Sequence, residues 1–467
     1  MVEGRAPSSG AAADASMTGQ PARSAGAWRG AIRAPAVVFG LMFAINALNY
    51  LDRLLVVAVG PTLKAEFHLR DRDIGLLASA FVLIYTLAAL PLGLIADRAS
   101  RARVVAIGVA VWSLASIGTG LARGFAGLFA MRAGVGIGEA SYYPAGTALL
   151  SAYFPLEQRA RVMSRWQTGQ LVGGALAFAL SAALLVALGP SLGWRVAFLI
   201  TGPPGLLLAY LMWRVADNPP HAPGESSAYA RKPPAQAEVA TATTAGDQAR
   251  TALGRIRAVL SIRTVWLVIV LQAAINITAT PAITFLPIYM RSPNGPFHLG
   301  MGQTNAVIGV VVVAGGVGGA ILGGYLADWL GRRVRGGRML AAGVGFGLAL
   351  PCYAVMLLSA SLPLFVAAGT LAILALYIPA GPLTASLQDA TPRALRATAV
   401  AVTLLLSHLL GDAWSPRVVG GISSALHERS GTALLIVGLP TLAVATLVGV
   451  LGVTIYAREV APERPST

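Results

Sequence analysis

The sequence predicts an all-α membrane protein of twelve transmembrane helices in two pseudo-symmetric six-helix bundles. Three observations carry this. The 467 residues are 56% apolar and only 12% charged, well away from the balance of a soluble domain. Apolar runs of about 20 residues, enough for a helix to cross about 30 Å of hydrocarbon, recur along the whole length. And Gly93-Leu94-Ile95-Ala96-Asp97-Arg98-Ala99-Ser100-Arg101 returns 231 residues later as Gly324-Tyr325-Leu326-Ala327-Asp328-Trp329-Leu330-Gly331-Arg332. The shared pattern G-x-x-A-D-x-x-x-R follows the second span of each half, which two parallel six-helix units explain most simply. The short alternating segments of a transmembrane barrel do not occur.

Residues 1–34, rich in Ala, Gly, Ser and Arg, predict a disordered tail. The next apolar span is too long for a cleaved signal peptide and lacks a clear cleavage site, so it is expected to stay as the first helix. The first bundle is expected over 35–214, with spans near 36–59, 74–96, 103–122, 125–151, 162–188 and 194–214. A linker over 215–260 carries Asn218-Pro219-Pro220, Lys232-Pro233-Pro234 and an Ala/Thr-rich run, with a short surface helix expected around Arg255 and Arg257. The second bundle is expected over 261–457, with spans near 264–290, 303–327, 338–359, 362–387, 397–422 and 432–456, and a short tail over 458–467.

The formal charge of +16 could suggest nucleic acid, but its distribution argues against that. The excess is nearly all arginine and lies in alternate loops. With the N-terminus inside, about 25 of the 35 Lys/Arg fall on the inner side and about 7 on the outer side. This bias predicts a multi-pass protein of a bacterial-type inner membrane with both termini cytoplasmic. The single Cys352 rules out an internal disulfide and a cysteine metal cluster. No phosphate-binding loop is present, and no paired nucleophile and base stands out, so neither a cofactor, an ATP motor nor an enzyme is expected. The run Gly134, Gly136, Gly138 has no strand before it and reads as helix packing, as do Gly169, Gly173, Gly174 and the glycines from Gly315 to Gly324.

The first and fourth spans carry four ionisable residues: Asp52 and Arg53 on the first, Arg132 and Glu139 on the fourth. Burying a charge at bilayer depth costs at least a few kcal/mol, so such groups usually serve ion or substrate pathways. At about 1.5 Å per residue, Asp52 is ~24 Å from the inner start of its span and Arg132 ~10 Å from the outer start of its own, which brings them to similar levels. Arg132 and Glu139 are about two turns apart and share a face. A proton on Asp52 or Glu139 would release Arg53 or Arg132 to hold an anion; a static ion-pair clamp between the two spans is the alternative. His408 and Asp412, i and i+4 on the eleventh span, are candidates for a second titratable pair or a headgroup contact, together with Asn49 and Tyr50. Arg417 could attract anions or snorkel to the interface. Gln170, Gln272, Asn276, Thr280 and Tyr377 are uncharged candidates for lining a cavity. Trp28, Trp194 and Trp213 are expected to anchor at the interfaces. The 231-residue offset sets Ile283, Pro363 and Thr370 against Asp52, Arg132 and Glu139, so the second half lacks equivalent charges.

The repeated loop motif resembles that of the major facilitator superfamily, and the 6 + 6 layout resembles that family over about 36–456. Within it, Asn49-Tyr50-Leu51-Asp52-Arg53, Arg132-Ala133-Gly134-Val135-Gly136-Ile137-Gly138-Glu139-Ala140 and His408-Leu409-Leu410-Gly411-Asp412-Ala413-Trp414-Ser415-Pro416 resemble the Spinster branch. The resemblance implies a monomeric, proton-coupled secondary transporter working by alternating access among membrane lipids. The cargo implied is an amphiphile with an anionic or zwitterionic head, such as a lysophospholipid or sphingoid phosphate. A small organic anion or a hydrophobic drug is the alternative, and a non-transporting sensor a remote one. It also implies that the loops with Gly93, Asp97, Arg98, Arg101 and Gly324, Asp328, Arg332 are cytoplasmic gate latches, each acid meeting the positive end of a neighbouring helix.

Overall fold

The computed structural model describes residues 32–217, 245–293, 295–392 and 395–460, without the side chains of a few helical positions. The predicted tails thus fall almost wholly outside the described residues, as do 218–244 of the linker. Helices account for nearly everything described. In the first half they are α1 (Pro35–Glu66), α2 (Asp71–Arg98), α3 (Arg101–Gly120), α4 (Phe125–Tyr153) and α5 (Leu156–Trp213). The amphipathic α6 (Ala245–Leu260) follows, covering the helix expected around Arg255 and Arg257. The second half comprises α7 (Arg263–Arg291), α8 (Met301–Arg333), α9 (Gly337–Leu358), α10 (Leu362–Tyr377), α11 (Ala380–Ala390), α12 (Arg396–Leu410), α13 (Ser415–Ala425) and α14 (Ser430–Glu459).

Among the described residues, ten stretches are both long and apolar enough to cross a membrane. One of them, Arg161–Trp213, is 53 residues long, enough for two crossings. It turns at Gly189, whose φ of 78° is the left-handed conformation that glycine adopts without cost. The limbs 156–188 and 190–213 supply spans five and six. The remaining span is α4, 29 residues long but carrying Arg132 and Glu139. Spans ten and eleven are each broken, the tenth between α10 and α11 and the eleventh between α12 and α13.

Local chemistry sets the helix ends. Pro35 opens α1 where its missing N–H costs nothing. Asp71 and Asp73 occupy the first turn of α2, the favourable place for anions. Ser100 caps α3 by accepting from the Arg103 amide at 3.3 Å. Glu459, at the end of α14, accepts from the Arg263 and Thr264 amides at 2.9 Å each and so caps α7 from a distance. In the first half α1 packs on α5, α2 on α4, and α3 on both α4 and α5; in the second, α9 packs on α10 and α14, α7 on α14, and α8 on α10. Small residues make the closest of these contacts. A Cβ on Gly138 would stand 2.7 Å from the Gly108 carbonyl oxygen, and one on Gly173 or Gly319 would collide with the Ala47 or Leu374 carbonyl. Most glycines of these runs face a neighbouring helix, as expected; Gly316 and Gly324 meet no atom within 4 Å of a built Cβ.

One expectation is corrected. Trp194 is fully buried and its indole N–H donates to Glu66 at 2.5 Å, so it is a core residue and not an interface anchor. Span-end position suggested an anchor, but the turn at Gly189 folds this end inward against Phe67 and Phe198. Trp213 is 43% exposed; Trp28 lies outside the described residues.

Candidate functional site

The face that carries 67–70 and 426–429, which the arginine bias assigns to the outside, is called the outer face here. Between the halves, below that face, lies a cavity of about 230 Å³ lined by α1, α2, α4, α7 and Asp412. It has two chemical ends. Tyr50, Arg53, Arg132, Thr280, Thr284 and Asp412 form a polar pole; Val56, Val57, Leu63, Ile74 and Leu77 form an apolar sleeve. The sleeve runs toward the outer face, because Leu63 and Ile74 belong to the outer ends of α1 and α2.

Successive residues on a helix are about 100° apart, so Asp52 and Arg53 cannot share a face. Arg53 points to the cavity, where its Nε and Nη2 donate to Glu139 Oε2 at 3.2 and 2.7 Å. The aromatic rings of Tyr50, Phe81 and Tyr85 lie 5.1–5.2 Å from its guanidinium carbon. Asp52 points away from the cavity, fully buried, near Ser116 of α3 and Thr201 of α5. Both its carboxylate oxygens lack a hydrogen-bond partner, as does Glu139 Oε1. Arg132, 5% exposed, has no ion-pair partner among the described residues; its guanidinium carbon lies 4.6 Å from the Phe81 ring. A buried ion normally costs several kcal/mol, and a cation–π contact returns only about 0.5–2 kcal/mol. Arg132 is thus a buried cation that the Phe81 ring only partly compensates. The cross-span pairing is Arg53 with Glu139, in place of the in-span release of each arginine by its own neighbour.

Across the cavity His408 Nδ1 meets both oxygens of Asp412, at 2.8 and 3.1 Å. Thr280 Oγ1 donates to Asp412 at 3.5 Å. Thr280 joins the cavity wall, whereas Asn276 Nδ2 donates to the Ser407 carbonyl at 3.3 Å and Gln170 to Gln167 at 2.5 Å. Gln272 and Tyr377 do not line it. Asn49 is buried, with an unpartnered Nδ2, and Tyr50 lines the pole. Ile283 lines the cavity too, the apolar counterpart that the repeat set against Asp52. Arg417 has an exposed side chain, and its backbone amide donates to Ser79 at 3.1 Å. Phe81 and Tyr85 were missed from sequence, because aromatic residues four apart on an apolar helix look like core.

Of the repeated loops, the Gly93, Asp97 and Arg98 side chains lie outside the described residues. Arg101 opens α3, half-exposed. Gly324, Asp328 and Arg332 are exposed on α8, and Asp328 and Arg332 border a cavity of about 480 Å³ where Arg338 pairs with Asp389.

A ligation at the outer face was not foreseen. Lys64 Nζ meets Asp71 at 2.5 Å and Glu428 at 2.6 Å; Ser423 donates to Asp71 at 2.5 Å; and the Asp71 amide donates to Glu428 at 3.1 Å. Gly75 and Gly420 let α2 and α13 touch through backbone, Gly75 against the Pro416 carbonyl and Gly420 against that of Asp71. These bonds join the two halves at the outer ends of α1 and α2, beyond the Leu63 and Ile74 end of the cavity. Partial burial pushes the Glu428 carboxyl up, but the hydrogen bonds from Lys64 and Asp71 outweigh it and hold the group below its ordinary value. A depressed carboxyl stabilises the latch above its ordinary pKa and loses that stabilisation only as pH falls through the lowered one.

Comparison with known proteins adds the relationship. Residues 42–416 match the model of the Major Facilitator Superfamily. The chain is 28% identical to the probable L-galactonate transporter of Escherichia coli (strain K12), over 64% of this chain and 62% of that protein. It is also 28% identical to protein spinster homolog 3 of Danio rerio, over 85% of this chain and 78% of that one. Among solved structures, a bacterial homologue of the human lysosomal transporter Spinster, inward-facing and unoccupied, superposes with a TM-score of 0.73 at 23% identity, over 91% of this chain and 97% of that one.

Proposed function

Because this chain belongs to the major facilitator superfamily and is a multi-pass membrane transporter, we propose that its cargo is an amphiphile with an anionic or zwitterionic head, of the lysophospholipid or sphingoid-phosphate type, moved by proton-coupled alternating access. The observation that carries this is the two-ended cavity, with arginines at one end and an apolar sleeve at the other. A polar head meets Arg132, whose donors have no acid of their own, while the tail fills the sleeve.

Coupling follows from the pairing. Glu139 holds Arg53 at 2.7 Å. A proton on Glu139 removes that attraction and releases a second guanidinium toward the head; deprotonation takes it back and weakens the hold on cargo. Asp52, buried without a partner, is the second proton site, and His408 with Asp412 supplies a titratable pair on the opposite wall. Both termini are cytoplasmic in this proposal, the membrane is a bacterial inner membrane, and the transporter works as a monomer. The loops at Asp97 and Asp328 close the inner face when the outer one opens.

Uptake of a labelled lysophospholipid into proteoliposomes, with and without an imposed pH gradient, tests this. Gradient-dependent uptake is expected. A small sugar acid is the second reading, favoured by the two arginines of the pole and by the relative named for L-galactonate. Uptake of a sugar acid with no movement of lysolipid would replace the amphiphile by that class.

A further inference from the structure

Gly60 lies in the interior of α1 and is buried, yet a Cβ built on it would meet no atom within 4 Å. Burial with empty space in front means that this residue faces an enclosed void, and it lines the sleeve together with Leu63, Ile74 and Leu77. Most glycines of this chain are explained by a neighbour. Gly75, Gly138 and Gly173 each face a carbonyl that a side chain would strike. Gly60 has no such neighbour on another helix; within its own it precedes Pro61, whose ring crowds a preceding side chain in a helix. Beyond easing that junction, it leaves volume in the cavity.

We propose that Gly60 is a specificity-determining residue, whose missing side chain sets the depth of the sleeve and so the longest hydrocarbon tail admitted while the outer face is closed. The proposal rests on the amphiphile as cargo and adds which amphiphiles. The end of the sleeve is also the underside of the outer latch: Leu63 adjoins Lys64, and Ile74 lies one turn beyond Asp71. A tail that fits leaves the bonds among Lys64, Asp71 and Glu428 intact. One that is too long presses Leu63 and Ile74 outward, against the α2–α13 contact at Gly75 and Gly420, and opposes closure.

The test is uptake into proteoliposomes of a saturated lysophospholipid series graded in tail length, for wild type and Gly60→Ala, Gly60→Val and Gly60→Leu. Gly40→Leu serves as control, since Gly40 is on the same helix, exposed, with nothing near its missing Cβ. Side chains of growing size should shorten the preferred tail stepwise, by roughly one to four methylenes from Ala to Leu, with affinity for the longest tail falling about fourfold per displaced methylene. Uptake of the shortest tails should fall least, and Gly40→Leu should keep the wild-type preference. An unchanged length preference in a folded Gly60→Leu overturns the proposal, as does loss of all lengths alike in Gly60→Ala; in either case the amphiphile cargo stands. If wild type carries no lysolipid of any length, the cargo is wrong and the length selector falls with it.

Discussion

The two walls of the cavity are built on opposite plans. The first-half wall holds two arginines, an acid and an aromatic cluster: Arg53, Arg132, Glu139, Tyr50, Phe81 and Tyr85. The second-half wall holds Thr280, Ile283 and Thr284, with one internally satisfied pair, His408–Asp412. The halves share a fold and a repeated loop but not their chemistry. An internal repeat conserves what packing needs, since a helix bundle requires matched lengths and small faces. Charges at bilayer depth are costly, so one set is enough and a second would only repel it. The charged wall is therefore expected to carry coupling and head recognition, and the other wall to tune them.

The sharpest way to break this asymmetry is Glu139→Gln. It leaves the half-buried Arg53 without its acid, a change that costs less than the ~3–5 kcal/mol of a fully buried pair that loses one member. Thermal unfolding in detergent should show a lowered midpoint, and the double variant Arg53→Gln/Glu139→Gln should regain most of it. Next is Arg132→Gln, which removes a charge that has no partner. Stability should hold or rise, while KM for the anionic cargo climbs about 10- to 100-fold, the scale of a lost charge-assisted hydrogen bond. Measured together, the two variants separate a pair that holds structure from a lone cation that holds cargo.

Smaller effects belong to the second wall and to the rings. His408→Gln or Asp412→Asn should slow uptake only a few-fold, since this pair is satisfied locally, between the end of α12 and the turn after it, and stays about 9–26% exposed. An effect as large as that of Glu139→Gln would reverse the assignment of coupling to the first half. Phe81→Leu should raise KM about 2- to 10-fold through loss of cation–π contact with Arg132, and Phe81→Trp should restore it. Failure of Trp to restore binding would make Phe81 a packing residue.

Much of the fold was legible in the sequence, because length and apolarity identify a membrane span and the 231-residue repeat identifies the halves. The four intramembrane charges were legible for the same energetic reason. Their pairing was not. Rise per residue gives the level of Asp52, Arg53, Arg132 and Glu139, but azimuth depends on how each helix is rotated against its neighbours. That rotation buries Asp52 against Ser116 and Thr201 and turns Arg53 to Glu139. The outer latch was hidden because Glu428 is 364 residues from Lys64, at the end of a loop. Gly60 was hidden because one glycine among 53 shows its role only once the space in front of it is known.

The most direct measurement of the central claim compares two assays in proteoliposomes for wild type and Arg53→Gln/Glu139→Gln: exchange of labelled substrate at equal pH, and its accumulation under a pH gradient. If Glu139 and Arg53 couple transport to protons while Arg132 holds the cargo, the double variant keeps exchange and loses accumulation. Accumulation at the wild-type level in the double variant would contradict that claim and leave the pair as a structural clamp between α1 and α4.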